Sequence, residues 1–132
     1  MKFESQRLCF RELADGDIEN LSQLLKDPKV MEYCEGALDY KASQRWLKSV
    51  QKYYKSLGYD YWAAVHKESG EFVGQMGIIK QEVDGEWIDC VAFMVNSKEW
   101  GKGYATEGAG ACIQYAFDVL NHQKIYATVE KE

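Results

Sequence analysis

Residues 96–120 read NSKEWGKGYATEGAGACIQYAFDVL, and they join two different patterns. The preceding run WIDCVAFMV, residues 87–95, is apolar enough for a buried strand, and the residues after Tyr104 repeat apolar positions at helical spacing. Gly101 and Gly103 flank Lys102 at the junction. Because a helix start presents unpaired N–H groups and glycine lets a ligand approach the backbone, this junction predicts a bound anion.

Three types of phosphate-binding loop are candidates for this position. A P-loop has the order G-x-x-x-x-G-K-[ST], and it is excluded because Lys102 precedes the second glycine. A dinucleotide loop, G-x-G-x-x-G/A, is excluded because Thr106 occupies its third site and the region near Gln123 lacks a carboxylate. The pattern leaves a pyrophosphate loop for coenzyme A, and the alternative is a strand-to-helix turn that binds nothing.

Outward from this junction, the sequence predicts five strands and three helices. The strands are RLCFREL (7–13), YDYWAAVHK (59–67), EFVGQMGIIKQ (71–81), EWIDCVAFMVN (86–96) and KIYATV (124–129). The first helix lies within residues 14–27 with Asp15 or Asp17 as N-cap, and the second contains residues 46–57 and ends at Gly58. The third runs from about Tyr104 to Leu120, and its predicted inward face is Ala105, Ala109, Cys112, Ile113, Ala116, Phe117 and Leu120.

The order of these elements sets the fold class. Short glycine-containing turns separate the three middle strands, which implies antiparallel neighbours. The order β-α-α-β-β-β-α-β predicts an α+β protein with a mixed, mainly antiparallel central sheet flanked by helices. With 132 residues and 46% hydrophobic content, the chain is expected to form a single domain over 1–132.

Charge and cysteine usage exclude several function classes. The net charge is −5, and the excess lies in residues 71–132, which carry 5 basic and 10 acidic residues. This balance argues against nucleic-acid binding and tolerates a cationic substrate. Four scattered cysteines without a C-x-x-C pair predict no metal site and a reducing, cytoplasmic location. No leader and no membrane-spanning run are expected.

The segment EWGKGYATEGAGACIQYAFDVLNHQKIYATVEKE, residues 99–132, resembles the GNAT superfamily of acyl-CoA N-acyltransferases, in particular the ribosomal-protein N-terminal alanine acetyltransferases. That family's loop, Q/R-x-x-G-x-G/A, is similar to residues 98–103, with Lys98 in its first position. The longer pattern W-G-K-G-Y-A-T-E is met by residues 100–107, and the likeness spans essentially the whole chain. The fold expected from the resemblance is therefore GNAT-like.

The resemblance implies acetyl-CoA as acyl donor and no metal. The implied pyrophosphate loop consists of Lys98, Gly101, Lys102, Gly103, Tyr104, Ala105 and Thr106. Phe93, Met94 and Val95 would splay from the following strand, so that their backbone pairs with the pantetheine arm and an N–H near Met94 or Val95 polarises the thioester carbonyl. In this family the substrate amine attacks directly, so Cys90 and Cys112 are expected to be core residues.

The sequence carries weaker signals for the residues that would bind and activate the acceptor amine. Many relatives carry a general-base Glu at the position of Cys90, so Asp89 and Glu82, with Glu86 as a further option, are the remaining carboxylates near the central strands. Asp89 is expected on the face opposite Cys90, because side chains alternate along a strand. Tyr33, Glu35 and Trp62 are implied as walls of the substrate pocket.

The resemblance also implies missing elements and leaves two functions open. The family usually continues beyond the position of Glu132, so a C-terminally truncated domain is expected, with its last strand either exposed or covered by a second subunit in a homodimer. The leading hypothesis is N-acetylation of a primary amine, either a protein N-terminus or a small amine. The alternative is a non-catalytic acyl-CoA-binding or interaction module.

Overall fold

The computed structural model describes residues 1–32, 34 and 36–127. A six-stranded sheet has its strands in chain order, and every neighbouring pair is antiparallel except the last, which is parallel. The strands are β1 Phe3–Glu4, β2 Leu8–Glu12, β3 Tyr61–His66, β4 Phe72–Val83, β5 Glu86–Val95 and β6 Tyr126–Ala127. This confirms the predicted mixed, mainly antiparallel sheet of an α+β protein.

Both predicted hairpins form where the glycine-containing turns lie. The β3–β4 turn contains Gly70 and the β4–β5 turn contains Gly85, and both glycines have positive φ. The short β1 was not predicted from the sequence, since two residues carry no periodicity. It is held by side-chain stacking, with the Phe3 ring 4.6 Å from Phe10 and 4.4 Å from Tyr115.

Three helices cover the sheet: α1 Ile18–Leu25, α2 Tyr40–Ser56 and α3 Tyr104–Asp118. At the start of α2, Asp39 accepts a hydrogen bond from the Ala42 N–H, as an N-cap does. The predicted cap of α1 is only partly right. Asp17 stands at the N-cap position, but its side chain accepts from Arg11 and from the Ala14 N–H, and a 3-10 turn over Asp15–Asp17 leads into the helix.

A separate core forms on each face of the sheet. The core under α3 contains Leu8, Phe10, Trp62, Met76, Ile78, Cys112 and Ala116, and the core under α1 and α2 contains Leu21, Leu24, Leu25, Leu47, Val50, Tyr61 and Met94. The inward face of α3 agrees with the predicted one except at Phe117, since Ala105, Ala109, Ile113 and Leu120 pack, partly buried, against the same core. Its buried residues are Tyr104, Gly108, Cys112 and Ala116, whereas Phe117 is 42% exposed. Gly108 packs directly against Met76, and a Cβ there would overlap the Met76 side chain.

We expect Gly77→Ala to unfold the domain or to lower its stability by at least about 3 kcal/mol, the scale of severe overpacking. A Cβ at this position of β4 would overlap the Asp60 carbonyl oxygen and lie 2.8 Å from Tyr61 Cα, and backbone atoms cannot rotate away. Gly110→Ala is the matched control in α3, where no atom lies within 4 Å of an added Cβ. It should stabilise the protein by about 0.5–1 kcal/mol. Urea denaturation of both variants compares them, and equal stabilities would refute the close approach at Gly77.

Candidate active site

The loop between β5 and α3 presents unpaired backbone donors. Gly101 and Gly103 have φ values of +83° and +84°, a region that glycine enters without the Cβ penalty. No described side chain caps the start of α3, and the first bond of the helix runs from the Glu107 N–H to the Gly103 carbonyl. The N–H groups at the first three helical positions, residues 104–106, therefore lack intrahelical partners.

These donors suit an anionic group such as a pyrophosphate. The unpaired N–H groups carry the positive end of the helix dipole, which favours negative charge. The approach is clear, since no atom lies within 4 Å of a Cβ built on Gly101 and the nearest atom to one on Gly103 is Arg7 Nη2 at 3.5 Å. The residues present thus fit the coenzyme A pyrophosphate that the loop pattern predicts.

A cavity of about 410 Å³ lies against this loop. It is lined by Val30, Phe93, Met94, Val95, Glu99, Trp100, Gly101, Gly103, Tyr104, Ala105 and Thr106. The structure therefore brings together eight of the ten residues predicted for coenzyme binding. Val30, Glu99 and Trp100 were not predicted, although Trp100 lies within the same W-G-K-G pattern.

The two predicted lysines stand apart from the cavity lining. Lys102 Nζ is 2.9 Å from Glu99 Oε2, so its positive charge is balanced by a neighbouring carboxylate. Lys98 lines an adjacent polar cavity, together with Asp27 and Ser97, whose side chains share a 2.7 Å hydrogen bond. Attraction of an anion at this site therefore depends mainly on backbone N–H groups.

The loop that follows β5 folds back and forms a hydrogen bond to the end of that strand. Trp100 Nε1 donates a 2.8 Å hydrogen bond to the Val95 carbonyl, which fixes the indole beside the strand. β6 pairs in parallel register with Cys90 and Val91 only. Among the described residues, no strand pairs with Phe93–Val95 on that side of β5. Phe93 is 50% exposed, so an apolar side chain is available to a bound ligand.

Arg7 holds the loop from the far end of the chain. Its Nη2 donates to the Lys102 carbonyl at 2.9 Å, and its guanidinium lies 4.3 Å from the centre of the Tyr104 ring. Arg7 Nε is paired with Glu107 at 2.7 Å, and Glu107 also accepts from the Arg7 N–H and from Ser5 Oγ. Burial opposes ionisation of Glu107, but hydrogen bonds from Ser5 and Arg7 outweigh it and lower its pKa. Arg7 is therefore a positioning residue for the loop.

We expect Arg7→Met to weaken binding of the coenzyme about five- to tenfold, because one charge-assisted hydrogen bond and one cation–π contact to the loop are lost. Thermal stability should fall at the same time, since Glu107 loses its ion pair. Lys67→Met is the control, because Lys67 forms an ion pair with Glu4 on the same surface without contacting the loop. Titration with coenzyme A measures both variants, and equal affinities would contradict the role of Arg7.

Asp89, a predicted general base, lies in a separate polar cluster. Its carboxylate accepts from Tyr59 and His122 at 2.8 Å each and is 3.1 Å from Lys80 Nζ. Burial raises the pKa of Asp89, but the hydrogen bonds from these three residues outweigh it and the net pKa is lowered. Asp89 precedes Phe93 by four residues, about 13 Å along a strand. It points away from Cys90 as predicted, and its contacts and distance disfavour general-base catalysis.

The other predicted acids and thiols are also away from the cavity. Glu82 is exposed near the β4–β5 turn, opposite Trp87, and Glu86 begins β5 in solvent. Cys90 is 1% exposed and Cys112 is fully buried, which confirms both as core residues. Desolvation raises the pKa of the Cys90 thiol, and that of Cys112 to about 12. Since the thiolate is the reactive form, neither suits nucleophilic attack at neutral pH.

Trp62 is a core residue, so its predicted place in a substrate wall is wrong. It is fully buried, with edge-to-face contacts to Phe3 and Tyr115 on the α3 side of the sheet. Its position in β3 placed it near the centre of the sheet, but the pattern did not show how deeply α3 covers it. Tyr33 and Glu35, the other predicted wall residues, lie outside the described residues.

No group of three or more His, Cys, Asp or Glu residues in 1–32, 34 and 36–127 is placed to hold a metal ion. Within the same residues, no helix has the length and apolar character that crossing a membrane requires.

The sequence is similar to that of a known protein family and of its members. Residues 7–132 match the family described as Acetyltransferase (GNAT) domain. The uncharacterized protein YkkB of Bacillus subtilis (strain 168) is 34% identical over 130 residues, which are 98% of this chain and 76% of that protein.

Solved structures share the fold. An acetyltransferase from Agrobacterium tumefaciens str. C58 superposes with a TM-score of 0.80 at 24% identity, covering 93% of this chain and 70% of that one. Spermidine N-acetyltransferase from Vibrio cholerae, in complex with CoA and spermine, superposes with a TM-score of 0.73 at 19% identity, covering 92% and 70%.

Proposed function

The chain belongs to the GNAT acetyltransferase family, and on this premise we propose that it transfers an acetyl group from acetyl-CoA to a primary amine. The observation that carries the proposal is the uncapped start of α3, whose free N–H groups open onto the cavity of about 410 Å³. An anion site beside an apolar cleft matches a molecule with a pyrophosphate at one end and an acylated thiol at the other.

The coenzyme would lie with its pyrophosphate on residues 101–106 and its pantetheine arm along Phe93–Val95. Acetyl-CoA supplies a thioester: the neutral amine nitrogen bonds to its carbonyl carbon, the carbon–sulfur bond breaks, and coenzyme A leaves as the thiol, since its sulfur takes up a proton in exchange for the one that the nitrogen loses. The chain's role is to place the thioester at the end of β5 and to hold its carbonyl oxygen with a backbone N–H near Met94 or Val95. Buried, protonated thiols at Cys90 and Cys112 support direct attack by the amine.

The acceptor must be neutral to attack, and this favours particular amines. A lysine-like amine with a pKa near 10.4 costs about 4 to 5 kcal/mol to deprotonate at pH 7, whereas an α-amine near 8 costs about 1. Since Cys90 replaces the expected general base and Asp89 is tied to Lys80, a protein N-terminus is the first candidate and a small amine the second. The V. cholerae enzyme named for spermidine supports keeping small amines in the test.

The second candidate function is a non-catalytic acyl-CoA-binding module, which the substitution at Cys90 favours. Titration with acetyl-CoA tests what both candidates share: about 2.7 kcal/mol of stabilisation is expected at 100 times Kd. Release of free thiol is then followed with N-terminal peptides, polyamines and aminoglycosides. Thiol release that depends on an amine supports the enzyme, and binding without any release supports the module. No stabilisation by acetyl-CoA would refute both. The cytoplasmic location and the homodimer stay predictions.

A further inference from the structure

A smaller cavity, of about 180 Å³, lies on the α2 side of the sheet. It is lined by Trp46, Ser49, Val50, Asp60, Tyr61, Ile79 and Lys80. None of these residues lines the coenzyme cavity, so the two spaces are distinct.

Asp60 is a buried carboxylate that lacks a countercharge. It is only 7% exposed, and Oδ2 accepts the Tyr61 N–H at 2.7 Å. No other hydrogen bond to this side chain, and no Lys, Arg or His at ion-pair distance, occurs among the residues that the structure describes. Lys80 also lines the cavity, but its ammonium is 3.1 Å from Asp89. A buried carboxylate without a cation costs free energy that a positively charged ligand offsets.

Two aromatic rings add to the chemistry of this cavity. Trp46 and Tyr61 are stacked, with ring centres 5.8 Å apart and planes inclined by 28°. Faces of aromatic rings attract cations, and their edges and faces also accept aliphatic chains. A carboxylate combined with two rings and the aliphatic Val50 and Ile79 suits a cation attached to a short hydrocarbon chain.

We propose that this cavity binds a primary alkylammonium group, with the Asp60 carboxylate as its counter-ion and the Trp46 and Tyr61 rings as its walls. The volume of about 180 Å³ accommodates a chain of a few methylenes and one ammonium. The Tyr61 N–H keeps one carboxylate oxygen in place, so the other is the acceptor for the ligand.

The cavity is connected to the coenzyme site by a short chain of buried contacts. Trp46 Nε1 donates to Gln75 Oε1 at 3.4 Å, and Gln75 Nε2 lies 3.3 Å from Met94 Sδ, which lines the coenzyme cavity. Trp46, Gln75 and Met94 thus form a continuous layer of side chains between the two cavities. One further step rests on the proposed amine acetylation. In that reaction, the ligand of this cavity is a second, charged amino group of the acceptor.

Binding is tested without coenzyme, using n-butylammonium as the probe and the indole N–H resonance of Trp46 as a local reporter. We expect a saturable shift for the unmodified protein at pH 7.5 and affinity at least about tenfold weaker for Asp60→Asn, which keeps an acceptor for the Tyr61 N–H but removes the charge. Glu68→Gln, which removes an exposed carboxylate in the β3–β4 turn, should bind as the unmodified protein does. Trp46→Leu, followed by calorimetry, should also bind more weakly.

Equal affinity of Asp60→Asn and the unmodified protein, or no saturable shift, overturns the ammonium site. The acceptor step has its own readout: Asp60→Asn should raise KM about tenfold for diamines and leave KM for monoamines unchanged, at the same kcat. An equal effect on both amine classes overturns that step. Absence of all acetylation refutes the proposed function instead, and the n-butylammonium titration still decides the site.

Discussion

Replacing Gly103 with valine should abolish coenzyme binding, with affinity lowered by at least about 100-fold, or about 2.7 kcal/mol. Gly103 has a φ of +84°, where an L-residue is strained by about 1–2 kcal/mol and a β-branched one more. The backbone relieves this strain by turning, which moves the N–H groups of residues 104–106 out of alignment. A Cβ at this position would also lie 3.5 Å from Arg7 Nη2, so the valine side chain would crowd the residue that holds the loop.

Gly85→Val provides the matched control for that result. Gly85 has nearly the same φ, +82°, and open space around an added Cβ, but it lies in the β4–β5 turn away from the cavity. Both variants should lose similar stability, whereas only Gly103→Val should lose affinity in a calorimetric titration with acetyl-CoA. Tight binding by Gly103→Val would remove the loop from the proposed coenzyme site.

Local features of the site could be predicted from the sequence, and its long-range contacts could not. The glycine pair, the preceding strand and the following helix lie within one short segment, so spacing alone places them in contact. The Arg7–Glu107 pair joins residues 100 positions apart, and the pattern of either segment gives no sign of the other. For Lys102, the partner is close in the sequence but its ion pair could not be predicted. Its charge is visible in the sequence, but its pairing with Glu99 depends on side-chain geometry.

The surroundings of Trp62 and Asp89 could not be predicted from the sequence, and for the same physical reason. Alternation along a strand gives the two faces of a sheet, but it does not give how completely each face is covered. Trp62 lies where α3 and β1 close over the sheet, and Asp89 lies where His122 and Tyr59 meet it. Asp60 was not predicted as a site residue for the same reason, since a carboxylate beside a strand start usually lies in solvent.

Asp60→Asn should make the protein more stable at pH 8, by up to about 3 kcal/mol. Burial raises the pKa of Asp60 to about 6 in the folded protein, against a reference value of 3.8, and the difference of about two units is worth roughly 1.36 kcal/mol each. Because the folded pKa is raised, the stability that this carboxyl contributes is fully present below pH 3.8 and is lost as pH rises through about 6. Asparagine stays neutral, so its advantage grows over the same interval.

Urea denaturation of both proteins between pH 4 and pH 8 measures this difference. The two stabilities should converge near pH 4 and separate as pH increases, whereas a constant difference would show that Asp60 is not the titrating group. A cation in the 180 Å³ cavity should remove part of the penalty in the unmodified protein only. Addition of n-butylammonium at pH 8 should therefore raise the stability of the unmodified protein toward that of Asp60→Asn, which links the cost of the buried charge to the ligand that it binds.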